Sequence, residues 1–184
     1  MPANLKVCID PGHGMGNRST GVFDPGCTHR EGGTLFREAD IVLKYGLALK
    51  DILRARGVDV FMIRDDHSDP APVARRAKMA KDAGCAKYVS IHVNAAEVEQ
   101  ANGIETLYNK DSNLAFAKKV QKALVKATGL RDRGTPKRPD LAVLKFAGPA
   151  VLVELGFIAN DKDRQTFLDP VIREKICVAI ADSL

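Results

Sequence analysis

The chain has 184 residues, of which 45% are hydrophobic and 28% charged. This composition is that of an ordinary globular domain and excludes a disordered, collagen-like or disulfide-dense protein. At about 150 residues per domain, the length predicts one compact domain over residues 1–184. The net charge of +5 mildly favours anionic partners. It is concentrated in residues 117–145, where nine basic and two acidic side chains give +7. This basic segment is either a solvated surface or one that meets nucleic acid, membrane or cell wall.

Strands and helices alternate in the apolar pattern. The predicted order is strand 5–9, irregular 14–37, helix 40–56, strand 58–63, helix 73–83, strands 87–91 and 103–108, helix 114–127, strands 141–144 and 150–154, and helices 161–168 and 171–181. This alternation predicts an α/β domain with a mostly parallel, twisted sheet of about five or six strands and helices on both faces. The irregular segment contains six glycines, and irregular segments of this length are typically functional.

The N-terminus and the cysteines exclude further classes. The first six residues lack the apolar core of a signal peptide, and no apolar run approaches the length of a membrane span. We therefore expect a soluble product synthesised in the cytoplasm, unless the sequence has been cut from a longer protein. The four cysteines show no C-x-x-C spacing and indicate neither a zinc ribbon nor a thioredoxin-like site.

Two histidines lie at the ends of predicted strands. His13 follows the first strand within the sequence DPGHG, and His92 follows the strand at 87–91. The carboxyl ends of the strands form the binding crevice in open α/β sheets, so this pair favours a ligand site more than either histidine alone. The nearby glycines are no dinucleotide fingerprint, because Asn17 stands where the third glycine is required.

A glutamate interrupts the apolar run at 149–157. Burying the Glu154 carboxylate costs several kcal/mol unless it is paired or coordinated. One interpretation is a buried ion pair with Arg64 or Arg75. The other is a general base that acts on water next to a metal ion.

Glu38 stands at the start of the predicted helix at 40–56. Acidic residues are favoured there by the helix dipole, and this alone explains its position. Two histidines and a carboxylate also form a standard catalytic zinc set, which His13, Glu38 and His92 could supply at the strand ends. A rival set combines His13 with Cys27 and His29.

Four short segments, in order along the chain, resemble the zinc-dependent N-acetylmuramoyl-L-alanine amidases of the amidase-3 type. They are IDPGHG (9–14), READI (37–41), SIHVNA (90–95) and VELGFIAN (153–160). The resemblance extends from about Lys6 to Ala181. It implies a single catalytic amidase domain with one zinc ion.

The resemblance also implies roles for individual residues. His13, Glu38 and His92 would bind the zinc ion, and Glu154 would be the catalytic glutamate. The substrate would be peptidoglycan, rather than nucleic acid, cleaved between N-acetylmuramic acid and L-alanine. Beyond the resemblance, we expect Asn94 and Arg64 to contact substrate, although Asn94 could instead orient a ligand or form a structural turn. Glu31 is a second acid near the expected ligand. Glu38 matches the family pattern better, because a predicted helix follows it directly, as one does in the family.

Other interpretations remain open. A zinc enzyme with the same ligands could instead be a carboxypeptidase-like peptidase. A non-catalytic module could bind an anionic wall through residues 117–145, although the chain has no tryptophan and 5% aromatic residues. An amidase domain of this size suits a phage endolysin released at lysis, a sporulation enzyme or part of an autolysin, acting on the cell wall. The oligomeric state cannot be derived from the sequence.

Overall fold

The computed structural model describes residues 5–96 and 100–184. In chain order the elements are β1 (Lys6–Pro11), β2 (Gly14–Met15), β3 (Phe23–Asp24), β4 (Thr28–Glu31), β5 (Thr34–Arg37), α1 (Glu38–Ala55), β6 (Asp59–Met62), α2 (Arg76–Asp82), β7 (Lys87–Asn94), β8 (Glu105–Leu107), α3 (Leu114–Thr128), β9 (Ala150–Phe157), α4 (Asp161–Leu168) and α5 (Pro170–Ser183).

A central sheet of five strands has the order β6-β1-β7-β9-β8 within the described residues. The first four strands in this order are parallel, and β8 runs antiparallel to β9. The predicted α/β class and mostly parallel sheet are confirmed. No helix among the described residues is long and apolar enough to cross a membrane.

Side chains that alternate along the strands fill two cores, one on each face of the sheet. Val7 and Ile9 belong to a core that also contains Leu49 of α1 and Ile180 of α5. Cys8, between them in sequence, belongs to the other core with Ala80 of α2. Helices therefore cover both faces, as the sequence predicted, because each buried strand is apolar on both sides.

The central strands extend further at their carboxyl ends than predicted. β1 continues to Pro11, β7 to Asn94 and β9 to Phe157, although the apolar periodicity stops earlier. The prediction of a strand at 141–144 is wrong. Residues Ala142–Lys145 form a 3-10 turn whose Val143 and Leu144 side chains are buried. These side chains reach the core from a turn, so their apolar character does not require pairing with a strand.

The irregular segment at 14–37 contains two small antiparallel pairs, β2–β3 and β4–β5. The second is a hairpin that leads directly into α1. Short, polar strands of this kind have no apolar alternation, so periodicity does not reveal them.

A buried ion pair lies at the carboxyl end of β1. Asp10 is fully buried, and Arg76 Nη1 donates to its Oδ1 at 2.6 Å. The Tyr88 hydroxyl and Ser90 Oγ donate to Oδ2 at 2.5 and 2.8 Å. Burial raises the pKa of Asp10, but Arg76 and these hydrogen bonds outweigh it and hold the pKa below its ordinary value.

Two buried arginines fix the backbone that follows β1. Arg64 donates to the carbonyl oxygens of Pro11 and Gly12 at 3.0 and 2.8 Å. Arg76 also donates to Pro11, at 3.1 Å, and to the carbonyl of His13 at 2.5 Å. Three consecutive carbonyls are therefore held by guanidinium groups, and charge-assisted hydrogen bonds of this kind are stronger than neutral ones.

We expect Arg76→Met to lower the free energy of unfolding by about 3–5 kcal/mol, because it leaves the Asp10 charge buried and unpaired. The pKa of Asp10 is depressed in the folded protein, so the ion pair stabilises fully above the ordinary aspartate pKa and loses its effect as the pH falls below it. The difference between wild type and variant should therefore be largest near neutral pH and shrink under acid conditions.

Denaturant unfolding at several pH values measures this difference. Arg75→Met is the matched control, since Arg75 is the exposed neighbour and its removal should change stability little. A loss of under ~1 kcal/mol for Arg76→Met would contradict the importance of the pair.

Candidate active site

His13 adopts a backbone conformation that few non-glycine residues occupy. Its φ is 60°, and among the described residues it is the sole non-glycine residue with a positive φ. Such strain persists where the surroundings fix the backbone, and Arg64 and Arg76 do so here. The ring is also oriented, because its Nδ1 lies 3.0 Å from Asp24 Oδ2 and its Nε2 lies 3.0 Å from Glu38 Oε2.

Glu38, the first residue of α1, turns its carboxylate inward and is 3% exposed. Oε2 contacts His13 and accepts from the backbone N–H of Cys27 at 2.9 Å. Oε1 lies 2.9 Å from His92 Nδ1 and accepts from the N–H of Val93 at 3.0 Å. Its position therefore serves the cluster, beyond any interaction with the helix dipole.

The charges of the cluster reinforce one another. Burial raises the pKa of Glu38, but hydrogen bonds from both imidazoles outweigh it and hold the pKa well below the ordinary range. Burial lowers the pKa of His13, but Glu38 and Asp24 raise it above its ordinary value. Burial likewise opposes the shift at Asp24, where His13 and Asn17 lower the pKa to about 2. Both carboxylates are therefore ionised at neutral pH.

The cluster fits a metal ion. One ligand atom each from His13, Glu38 and His92 can be chosen so that all lie within 4.8 Å of one another. Two imidazoles and a carboxylate form a donor set typical of catalytic zinc, and the Asp24 carboxylate behind His13 is the kind of outer partner that orients ligand histidines.

Glycines allow the backbone to approach the ligand side chains. A Cβ at Gly12 would lie 2.3 Å from His92 Cε1, and one at Gly26 would lie 2.5 Å from Glu38 Oε2. Neither position tolerates a larger residue without moving a ligand. The close packing holds the imidazole of His92 and the carboxylate of Glu38 in place.

Glu154 lies next to this cluster, in register with His92 on the neighbouring strand. Its Oε2 is buried, and no described residue donates a hydrogen bond to it. Burial, with repulsion from Glu38 and Glu105, raises its pKa well above the ordinary value. The carboxyl group lines a cavity of about 610 Å³ together with all three cluster residues, which we name the polar cavity. A carboxyl group in this state can exchange a proton with a molecule in that cavity.

Glu154 has neither of the arginine partners that its burial suggested. Arg64 is 1% exposed and donates to backbone carbonyls, and Arg75 is exposed. The same contacts correct the expectation that Arg64 binds substrate, since its guanidinium faces the interior and positions the backbone around His13. Asn94 does line the polar cavity, but its Nδ2 donates to Glu105 Oε1 at 2.9 Å.

In the part of the chain that the structure describes, the candidate metal-binding cluster includes none of the rival ligands. Glu31 is 54% exposed and pairs with Arg164 at 2.7 Å. His29 lies in β4 opposite Phe36, and the described residues contain no metal-binding group that includes it. The Cys27 thiol donates to the Val93 carbonyl oxygen at 3.2 Å. Burial and the Glu38 charge raise its pKa, which disfavours the thiolate.

Sequence reasoning missed two components of the site. Asp24 has no signal besides its place in the irregular segment, although that segment's glycine content indicated function. Asp10 is the first residue of the DPGHG sequence, but nothing in the sequence pairs it with Arg76, 66 residues away.

A family model described as N-acetylmuramoyl-L-alanine amidase matches residues 7–184. The probable cell wall amidase LytH of Staphylococcus epidermidis is 29% identical over 178 residues, which cover 97% of this chain and 56% of that protein. LytH of Staphylococcus aureus is also 29% identical, over 180 residues with the same coverage. The chain thus spans about half the length of these curated relatives.

Solved structures of N-acetylmuramoyl-L-alanine amidases share the fold over almost the whole chain. The catalytic domain of CwlV, an N-acetylmuramoyl-L-alanine amidase from Bacillus (Paenibacillus) polymyxa var. colistinus, has a TM-score of 0.86 and 30% identity, covering 97% of this chain and 95% of that one. An N-acetylmuramoyl-L-alanine amidase from Clostridium difficile has a TM-score of 0.87 and 27% identity, covering 98% and 95% respectively.

The packing at Gly12 predicts that Gly12→Ala displaces the His92 ring, because the added Cβ would lie 2.3–2.7 Å from three of its atoms. We expect zinc affinity to fall by 10-fold or more, the order of effect seen when ligand orientation is disturbed. Competition with a chelator measures the affinity. Gly21→Ala is the control, since its Cβ would meet nothing within 4 Å. Equal affinities for the two variants would contradict the constraint.

Proposed function

Because the chain belongs to the N-acetylmuramoyl-L-alanine amidase family of the amidase-3 type, we propose that it is a zinc-dependent hydrolase. Its substrate is the amide between N-acetylmuramic acid and L-alanine in peptidoglycan. The observation that carries the proposal is the buried, unpartnered Oε2 of Glu154 beside the cluster of His13, Glu38 and His92. A purely structural site would have satisfied that oxygen.

His13, Glu38 and His92 would hold one zinc ion per chain. Bound zinc supplies Lewis acidity at the scissile carbonyl and lowers the pKa of water. Asp24 keeps the His13 ring turned toward Glu38. The hydrogen bonds that Glu38 accepts from backbone N–H groups fix its carboxylate, so the ligand geometry is established by the protein itself.

Glu154 would transfer the proton. Its carboxylate accepts a proton from the attacking water, whose oxygen bonds to the carbonyl carbon. It then returns that proton to the alanine nitrogen as the C–N bond breaks, giving a lactyl carboxylic acid and an amine. The second water proton passes from the acid to the amine, so the final products are a carboxylate and an ammonium group. Burial and the neighbouring carboxylates raise the pKa of Glu154, and a raised pKa favours the uptake of the proton from water.

Glu154→Gln should bind zinc with unchanged stoichiometry and lose about 10²–10⁴-fold in hydrolysis, because the amide cannot carry the proton. Elemental analysis measures the metal, and mass spectrometry of digested muropeptides identifies the bond. A new amine terminus on L-alanine indicates an amidase, whereas a new terminus within the stem peptide indicates a peptidase. A fully active Glu154→Gln, or wild type that binds no zinc, would overturn the assignment.

Glu31 and Glu38, the two acidic residues considered as metal ligands, provide a matched pair of variants. Glu38→Gln should lose zinc, because it removes the charge that faces both imidazoles. Glu31→Gln should retain zinc, because that side chain pairs with Arg164 instead. Zinc retained by the first variant and lost from the second would reverse the assignment.

We propose further that the basic segment at 117–145 holds the enzyme on an anionic wall. Its nine basic side chains are exposed, but Arg133, Lys137 and Arg138 pair with carboxylates. The lysines of α3 form no ion pair among the described residues, and they are Lys118, Lys119, Lys122 and Lys126. The charge available to a polyanion is therefore concentrated on one helix.

The double variant Lys118→Gln/Lys122→Gln should bind purified cell walls less tightly than wild type at low salt. The difference should vanish as salt rises, since screening weakens contacts between exposed charges. Co-sedimentation over a salt series measures binding. Lys44→Gln/Lys81→Gln, which removes two exposed lysines elsewhere, is the control. Wall binding that is indifferent to salt, or equal for both double variants, would contradict the role.

A further inference from the structure

Two cavities meet at the metal cluster. His13 and His92 line both the polar cavity, which Glu154 also lines, and a second cavity of about 410 Å³. We name the second one the apolar cavity, because half of its lining residues are apolar, and they are Val73, Leu141, Ala142, Val143 and Leu152. A molecule bound at the cluster is therefore within reach of both cavities.

The two cavities differ in what they can bind. Arg76, in the lining of the apolar cavity, uses its guanidinium within the protein. Beyond the imidazoles, Asn17 and Arg18 are then its remaining polar side chains among the described residues. A sugar needs partners for several hydroxyl groups, because unpaired polar groups are costly to bury. The methyl group and backbone of an alanine-led peptide need far fewer.

Arg18 lies where the two cavities meet and lines both. Its side chain is 77% exposed, and its Nε lies 3.3 Å from Asp24 Oδ2. That oxygen already contacts His13 and accepts from Asn17 at 2.6 Å. No partner is found for the two terminal nitrogens of Arg18 in the part of the chain that the structure describes. The guanidinium is therefore tethered at one end and open at the other.

The backbone that carries Arg18 is anchored on both sides. Gly16 N–H donates to the Val22 carbonyl at 2.9 Å, and Val73 N–H donates to the Asn17 carbonyl at the same distance. The position of Arg18 at the mouth therefore follows from a fixed turn, even though its side chain faces solvent.

The charges that line the two cavities suggest a role for Arg18. Glu38 and Asp24 are carboxylates in the lining of the polar cavity, so neither can pair with a carboxylate of a substrate. Arg18 is the exposed cation lining both cavities in the described structure. A stem peptide carries carboxylates, and a guanidinium fork binds a carboxylate through two parallel hydrogen bonds.

Resting on the proposed function, we infer that the apolar cavity receives the leaving peptide and that Arg18 selects it by pairing with one of its carboxylates. Arg18 is thus a specificity-determining residue, and it takes no part in the chemistry at the amide bond.

The test uses one batch of uncross-linked peptidoglycan strands in two forms. One form keeps its stem-peptide carboxylates, and the other has them converted to amides with carbodiimide and ammonia. The measurement is kcat/KM for release of the L-alanine amine, expressed as the ratio of native to amidated strands. This ratio cancels effects that act equally on both forms.

We expect Arg18→Gln to lower this ratio about fivefold, the effect of losing one exposed charge pair, and Arg18→Lys to restore part of it. Arg30→Gln removes another exposed arginine, on the β4–β5 hairpin, and should keep the wild-type ratio. A wild-type ratio in Arg18→Gln would overturn the inference while leaving the amidase intact. Wild type that frees no L-alanine amine from either form would overturn both proposals.

Discussion

The buried contact between Asp10 and Arg76 is the interaction on which the site depends. It anchors a guanidinium beneath the end of β1, and this guanidinium, with that of Arg64, holds the carbonyls of three consecutive residues. The left-handed backbone conformation of His13 persists because these hydrogen bonds prevent the backbone from relaxing. Through hydrogen bonds to the main chain, the buried ion pair therefore helps to fix the backbone of His13, a candidate metal ligand.

The site treats its two central carboxylates in opposite ways. Glu38 has both oxygens engaged, each by one imidazole and one backbone N–H, and is therefore a fixed anion. Glu154 has a buried oxygen without a described partner and repulsive neighbours, which raise its pKa. This contrast supports the proposed roles of Glu38 as a metal ligand and of Glu154 as a proton carrier, because hydrogen bonding stabilises the charged form of a carboxyl group and desolvation destabilises it.

The sequence predicts the architecture well because the buried strands are apolar and the helices periodic. It also indicates His13, His92 and Glu154, since polar residues at the ends of apolar strands are conspicuous. Apolar periodicity ends before the carboxyl ends of β1, β7 and β9, where the candidate site residues lie. The sequence therefore predicts these strands shorter than they are. Asp24 and Arg18 lie in a segment whose shape depends on glycine turns and tertiary hydrogen bonds. Arg64 was misassigned because its charge suggests a surface role, whereas three carbonyl acceptors make an interior position possible.

The unpartnered oxygen of Glu154 also bears on how far this fold could be stabilised. A buried polar atom without a partner costs about 1–3 kcal/mol, which is a sizeable share of the net stability of a domain. Sequence optimisation for stability alone would remove this glutamate and the left-handed histidine first, since both oppose folding. Two residues that oppose folding are therefore also residues to which the proposed function assigns a role, as expected where activity and stability compete.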